Sequence, residues 1–469
     1  MKYQEGKSQQ YGVNLCEGCL EKQREIDRLR EEVQRLKQEL RRRERKQEQG
    51  FFGSSTPSAQ VPVKAKALAE NQAKKGGAQI GHPGHGRQVC QRAEADEVRV
   101  AQVMEDQCQE CQCQMQRQSA NGRVLYDLQR EEVRKVYYEI ERKRCPKCRK
   151  IVAGKVAEAM PHAKLTNEFV VEVAEQHYVL GRTLGQLSER FAINDSTLAE
   201  ALKRVGNLLA PCLEKLKAEY REAAVRHADE TGWRTDGGNG YSWYFGSSAV
   251  SLYLFRTTRS NKVPLEVLGK ERLSGVLVVD RYAGYNQVPC EIQYCYAHLL
   301  REMKDLAAEF ETSEEVKNYT QAMQLCLTDA MQLRQRNLSQ ADYRAAAEQI
   351  KADILNSSAQ PATHLGVRKW QDFFVQKAPR LYQWCESPEI PAENNYAERE
   401  IRKVVIARKL SYGSQSPAGA KTREIWTSVL QSLRKRVPHP RAHLLTSLHQ
   451  LSLNSSFDLP SHLFASLSP

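Results

Sequence analysis

No stretch of the 469 residues is an apolar run of the ~18–20 residues that a membrane-spanning helix needs. The opening residues, MKYQEGKSQQ, lack the apolar core of a signal peptide, so the chain reads as one that is not exported. An acidic excess is also missing: 70 Lys and Arg face 57 Asp and Glu, giving a net charge of +13 and a pI near 9.1. A basic surface favours a polyanion, most often nucleic acid. A basic soluble enzyme is the plainer alternative. The cations cluster in segments 1–90, 142–150 and 399–436. Hydrophobic content of 41% and charged content of 27% are ordinary for a soluble globular protein. The length exceeds one core, which implies about two to four folded units. Thirteen cysteines, many closely paired, read as metal ligands or free thiols of a reducing cytoplasm rather than as disulfides.

Cys19, Ile26, Val33 and Leu40 recur every seventh residue with Leu29 and Leu36 between them, broken only by Lys22. That spacing predicts a short coiled coil that pairs chains or packs on its own domain. Residues 50–90 are rich in Gly, Ser, Lys and Pro and lack periodicity, as a flexible basic linker does. His82 and His85 there read as solvated rather than as ligands. Two Cys-x-x-Cys pairs follow, Cys108 with Cys111 and Cys145 with Cys148, across a segment in which Val136, Tyr138 and Ile140 alternate. Each pair supplies two thiolates from a tight turn, and together they suit a tetrahedral Zn²⁺ site in a ribbon with a long insert. Two pairs of free thiols are the alternative, and Cys113 is a possible substitute ligand. Cys16-x-x-Cys19 has the same spacing, but its position at the coiled-coil start favours packing.

Residues 165–209 are helical in pattern. One helix at about 184–191, a turn of four or five residues and a second helix capped by Asp195 or Ser196 place Leu184, Leu187, Phe191, Leu198, Leu202 and Val205 on one face. This suits a helix-turn-helix carrying Lys203 and Arg204 toward DNA, or a plain helical hairpin. From residue 222 the pattern turns to four short β runs, the last ending at Asp280. In the first, "RHADETGWRTDGG", alternation puts His227, Asp229 and Thr231 on one face and Glu230 on the other. Adjacent central strands would bring Asp229 and Asp280 to one cation, which two close carboxylates require. A helical stretch at about 298–385 precedes "AENNYAEREIRKVVIARKLSYGS". Asn395 and Glu398 there also fit a capping box, and both Glu398 and Glu400 flank the Ala397–Ile401–Val404 stripe, so helical geometry does not choose between them.

The segments "HADETGWR", "GVLVVDRYAGYN", "CYAHLLRE" and "ENNYAEREIRKVVIARKLSYGS", with "GGAQIGHPGHGR" and the paired cysteines upstream, resemble in order the motifs of the insertion-sequence 66 family of bacterial transposases, over about residues 15–450. Tyr296 stands where that family frequently has tryptophan. The resemblance implies a DDE transposase whose triad is Asp229, Asp280 and Glu398, holding Mg²⁺ (or Mn²⁺). The implied fold is multi-domain α+β: coiled coil (15–48), basic linker (49–95), zinc-binding ribbon (96–155) and helix-turn-helix-like domain (160–218). An RNase H-like α/β core follows in two parts (222–300 and 391–437), interrupted by a helical insertion (301–390), with a C-terminal tail (438–469). Expected partners are transposon-end and target DNA, a second copy of the chain and possible small accessory transposition proteins, in a cytoplasmic, nucleoid-associated setting without membrane. His298 and Arg301 would lie near the site, and Arg399, Arg402, Lys403, Arg408 and Lys409 would contact phosphates or form a solvated face. The rival functions are a non-catalytic, zinc-containing dimeric DNA-binding regulator and a metal nuclease without strand transfer.

Overall fold

The computed structural model describes residues 91–129 and 132–465, with single positions between 22 and 36. Two compact units divide at Thr56. In the first, the described positions are helical, and the expected seam residues Leu29, Val33 and Leu36 are about half exposed. Cys16, Cys19, His82, His85, the remainder of the coiled coil and the linker up to residue 90 lie outside the described residues, and Arg92–Glu94 at the linker's end form a single 3₁₀ turn.

The second unit begins with a small sheet. Strands β1 (Glu97–Ala101), β2 (Gln116–Gln129), β3 (Glu132–Arg144) and β4 (Ile151–Ala153) centre on β3, which pairs in parallel with β1 and antiparallel with β2 and β4. Its alternating Val136, Tyr138 and Ile140 build a core with Ala101, Leu125, Val156 and Ala159. Helices α1 (Asn167–Ala174), α2 (Leu184–Phe191), α3 (Asp195–Leu209) and α4 (Pro211–Glu222) follow. The α2–α3 turn is shorter than expected. Ala192 takes a left-handed φ of 52°, and the cap is Asn194, whose Oδ1 accepts the Ser196 N–H at 2.9 Å. An amide side chain one residue before Asp195 does the capping that either expected residue would have done.

The larger sheet contains β5 (Val225–Thr235), β6 (Gly238–Gly246), β7 (Ser251–Arg256), β8 (Val276–Val279) and β9 (Glu291–Tyr294), ordered β7-β6-β5-β8-β9. The first three are an antiparallel meander, and β5, β8 and β9 run parallel. Asp236 and Gly237 turn β5 into β6 with φ of 53° and 73°, the paired left-handed conformation that a two-residue hairpin turn demands. Helix α5 (Lys262–Leu268) makes the crossover to β8. After β9 come α6 (Tyr296–Glu309), α7 (Glu314–Leu333), α8 (Gln340–Ala359), α9 (Leu365–Gln376), α10 (Asn395–Ser411), α11 (Pro417–Arg436), α12 (Pro440–Leu453) and α13 (Leu459–Leu463). One hydrophobic core runs from Phe169 and Leu202 through Leu277, Met323 and Trp426 to Leu444 and Phe464. The segment beyond residue 437 therefore contributes two helices to it. Among the described residues no helix is long and apolar enough to cross a membrane.

Strand β7 is an edge of this sheet, so its outward N–H groups need partners. Helix α11 supplies them. Ser432 Oγ accepts from Ser251 N–H and Ser428 Oγ from Tyr253 N–H, both at 2.9 Å, and Glu424 Oε2 accepts from Phe255 N–H at 3.3 Å. Four helical residues rise about 6 Å and two strand residues about 6.8 Å, so the two periods match over three rungs. On the other side of β5, Gly275 enters β8 with φ +77°, and a Cβ there would lie 2.3 Å from the Ala224 carbonyl oxygen. Gly275→Ala should therefore cost at least about 1–3 kcal/mol from the left-handed backbone alone. A thermal unfolding midpoint lowered by several degrees is the expected result, and an unchanged midpoint would refute the close approach.

Candidate active site

Strand β5 places the first carboxylate. The last β5–β8 rung pairs His227 with Val278, so Asp229 and Asp280 each lie two residues beyond it on neighbouring parallel strands. Parallel strands sit about 4.8 Å apart, which makes the two aspartates neighbours at the C-terminal end of the sheet. Alternation sorts the acidic pair as expected. The Glu230 side chain is only 1% exposed, ion-paired with Arg259 and accepting the Tyr285 hydroxyl at 2.6 Å. Thr231 and His227 face α10 instead, through Arg408 and Asn394.

Glu398 comes from the first turn of α10. The helix cap is Asn394 rather than Asn395, and Asn394 makes no side-chain capping bond. The Glu398 carboxylate lies 3.3 Å from Arg301 Nη2 and 3.7 Å from His298 Nδ1, both on α6, so the capping-box alternative does not describe its side chain. Glu400 points elsewhere: it accepts the Tyr253 hydroxyl at 3.0 Å and pairs with Lys403. The Ala397–Ile401–Val404 stripe packs on Trp233, Tyr244, Tyr253 and Phe255, and this docking rotates Glu398 toward α6 and Glu400 toward β7.

Asn394 ties these elements together and was not singled out from sequence. Its Nδ2 donates to Ala228 O at 2.8 Å, its Oδ1 lies 3.0 Å from His227 Nδ1, and its N–H points to Cys295 Sγ at 3.1 Å. Burial pushes His227 down to about 4, so at neutral pH its imidazole is uncharged and donates Nδ1–H to the amide oxygen. The residue next to Asp229, the start of α6 and the start of α10 thus meet at one residue, through its side chain on the β5 side and its backbone N–H on the α6 side. Only the doubled Asn of "AENNYAERE" hinted at it, without indicating which Asn matters.

Burial first, then the charges of Glu230, Asp280 and Glu398, push the Asp229 carboxyl well above the usual carboxylate range. Asp229 Oδ1 accepts only the adjacent Glu230 N–H at 2.8 Å, and Asp280 Oδ1 accepts Tyr282 N–H at 2.9 Å. The second oxygens of these two aspartates would serve a cation, and a set of hard oxygen donors fits Mg²⁺.

The family model described as Transposase IS66 family matches residues 158–422, more than half of the chain and all three of these acidic positions. The chain belongs to the IS66 family of transposases. A comparison with curated proteins finds none that matches. The matched segment starts beyond the cysteine ribbon and ends within α11, so the ribbon of this transposase rests on its own geometry.

That geometry is a four-thiol cluster. Cys108, Cys111, Cys145 and Cys148 have sulfur atoms all within 4.8 Å of one another, with Cys108–Cys148 at 3.3 Å and Cys111–Cys145 at 3.2 Å. Cys113 is not in the set. Each pair sits in the same kind of knuckle: Gln112 N–H returns to Cys108 O and Arg149 N–H to Cys145 O, with left-handed φ of 56° and 60°. Backbone N–H groups inside the knuckles hold the Cys108 thiol down and bring Cys145 to about 6. Their partners Cys111, pushed up to about 12, and Cys148 are raised by sharing their protons with those two sulfurs. Without a metal, one thiol of each close pair is therefore favoured as the thiolate that Zn²⁺ binds.

The basic side chains expected at DNA divide into two groups. Arg399, Arg402 and Lys409 are exposed on α10, as is Lys403 beside Glu400. Arg408 is a correction: it is buried, and its guanidinium donates to Thr231 Oγ1 and Gly232 O. Continuing the 397–401–404 stripe by one turn reaches 408, so the helical period forces this cation inward. On α3, Arg204 donates to the Pro161 and His162 carbonyls and Lys203 lies 3.8 Å from Glu200. Arg402→Ala combined with Lys409→Ala should lower the salt dependence of DNA binding by about two counterions. Arg408→Ala should leave that slope alone and cost roughly 1–3 kcal/mol of stability by orphaning the buried Gly232 carbonyl and the partly buried Thr231 hydroxyl. A slope unchanged in the double variant, or lowered in Arg408→Ala, would overturn the division.

Proposed function

We propose that this transposase cleaves DNA at transposon ends and joins the freed 3′ ends to target DNA, using Asp229, Asp280 and Glu398 as ligands for Mg²⁺ (or Mn²⁺) in an RNase H-like core. The observation that carries this reading is the crowding at Asp229. A buried carboxylate is pressed by the adjacent Glu230 and then by Asp280 and Glu398, although Asp229 and Glu398 are 169 positions apart along the chain. Such like-charge crowding suits a site built to receive cations. The sheet order, an antiparallel meander followed by two parallel strands, supports the RNase H-like assignment.

When bound, Mg²⁺ supplies activation of the attacking oxygen and stabilisation of the leaving oxygen in an in-line displacement at phosphorus. The chain's own residues position and screen. Arg301 and His298 orient Glu398, Asn394 holds the backbone beside Asp229 against α10, and Arg259 with Tyr285 keeps Glu230 from joining the trio. Exposed Arg399, Arg402 and Lys409 then anchor phosphates on the helix that carries Glu398. The zinc ribbon and the α2–α3 pair are assigned to transposon-end binding, and the coiled coil to pairing two copies so that two ends meet. Small accessory proteins are further candidate partners. Family membership speaks against the non-catalytic regulator.

The deciding experiment is a cleavage and joining assay on end-containing duplexes with Mg²⁺ or with chelator. Mg²⁺-dependent nicks followed by joined molecules are expected. Nicks without joined products would reduce the protein to a nuclease, and activity persisting in Glu398→Gln would remove Glu398 from the trio.

A further inference from the structure

Glu398 belongs to a second donor set of different chemistry. Cys295 ends the loop before α6 and is buried, with its Sγ facing the Asn394 N–H. His298 lies one helical turn on, and its Nδ1 is buried with no hydrogen-bond partner. The Cys295 sulfur, a His298 ring nitrogen and a Glu398 carboxylate oxygen all lie within 4.8 Å of one another. Sulfur, imidazole and one carboxylate make a three-ligand set suited to Zn²⁺ and Co²⁺, and one that Mg²⁺ avoids. The acidic trio makes no use of the thiol, and His298 Nδ1, 3.7 Å from Glu398, makes no hydrogen bond.

We propose that Cys295, His298 and Glu398 form a binding site for a thiophilic divalent cation, and that filling it withdraws Glu398 from the acidic trio and shuts down cleavage. Binding replaces the Cys295 S–H bond with an S–metal bond, and the displaced proton leaves to solvent. His298 uses a nitrogen lone pair and needs no such exchange when neutral. Glu398 turns from Arg301 toward the sulfur, and the two uses of its carboxylate exclude each other. The binding half stands on these three side chains alone; the inhibitory half rests on the Mg²⁺-dependent reading of the trio.

Two readouts test the halves separately on the full chain with its ribbon already loaded with zinc. Added Co²⁺ should give visible d–d bands and a near-ultraviolet sulfur-to-cobalt charge-transfer band for one further equivalent. Cys295→Ser should abolish the charge-transfer band. Glu398→Gln, which leaves the thiol in place, should weaken Co²⁺ binding by about tenfold or more. A wild-type protein without the extra charge-transfer band, or one whose band survives Cys295→Ser, overturns the site. Micromolar Zn²⁺ added over millimolar Mg²⁺ should lower wild-type cleavage by about tenfold or more, with that ratio returning toward one in Cys295→Ser. Equal inhibition of both proteins overturns the coupling while Mg²⁺-dependent cleavage stands. Cobalt bands in a protein that never cleaves overturn the Mg²⁺ reading instead, and the metal site remains.

Discussion

Asp229→Asn should abolish cleavage and joining by on the order of 10³-fold or more while leaving transposon-end binding and the fold intact. The substitution keeps the shape and the oxygen that accepts the Glu230 N–H, and removes only the charge. Its effect on stability has the opposite sign. In the metal-free protein the folded-state pKa of Asp229 is raised, so the folded state holds this proton more tightly than the unfolded chain does. The native state is therefore favoured by this group only below the ordinary carboxylate value of about 4. That favour is lost as pH climbs from there to the raised folded value. Above that ordinary value Asp229 is a net burden on the metal-free fold, because folding must either bury its charge or take up a proton, and asparagine relieves it. Melting should move upward or hold, and the wild type should gain more than the variant from added Mg²⁺. Normal cleavage by Asp229→Asn would sink the assignment. A large drop in melting temperature would show that the carboxylate has a structural role instead.

Removal of zinc should produce the second large effect, confined to one end of the ribbon. The knuckle cluster is small: Cys108, Met115 and Cys145, with Cys111, Cys113 and Val152 around them. Six side chains of this size do not hold two tight turns with left-handed residues. A Zn²⁺ held by the four thiols would do that work, since structural zinc contributes on the order of 10 kcal/mol to the folding of small domains. The hairpin of β2 and β3 has its own apolar core around Leu125, Val136 and Tyr138. Chelation, or Cys145→Ser, should therefore open residues 106–115 and 145–151 to amide exchange by orders of magnitude and leave β3 from Val136 to Ile140 protected. Hydrogen exchange read by mass spectrometry separates the two segments. Protection at the knuckles that survives chelation would mean the four thiols hold no structural ion.

The sequence pattern reached furthest where a short period met a buried face. Alternation along β5 separated Asp229 from Glu230, and the structure shows Glu230 paired on the opposite side with Arg259 and Tyr285. The cysteine spacing placed four sulfurs together because each Cys-x-x-Cys pair closes its own turn. Helical geometry was silent between Glu398 and Glu400, since both flank the same stripe. Only what α10 lies against distinguishes them: α6 with Arg301 on one side, Tyr253 on the other. Arg408 was misplaced although its signal was present, because a cation on an apolar stripe looks like a boundary until its acceptors at Thr231 and Gly232 are known. The Asn394 clamp joins positions 228, 295 and 394 and leaves no trace in any local period.

The serines that α11 offers to β7 bear on how two copies of this transposase can meet. A sheet whose outermost N–H groups are already satisfied has nothing left there to offer a neighbouring strand. Two catalytic sheets therefore cannot fuse through β7 into one continuous layer. Any pairing of two copies that brings DNA ends together would have to use other surfaces, with the outermost strand already held by its own helix.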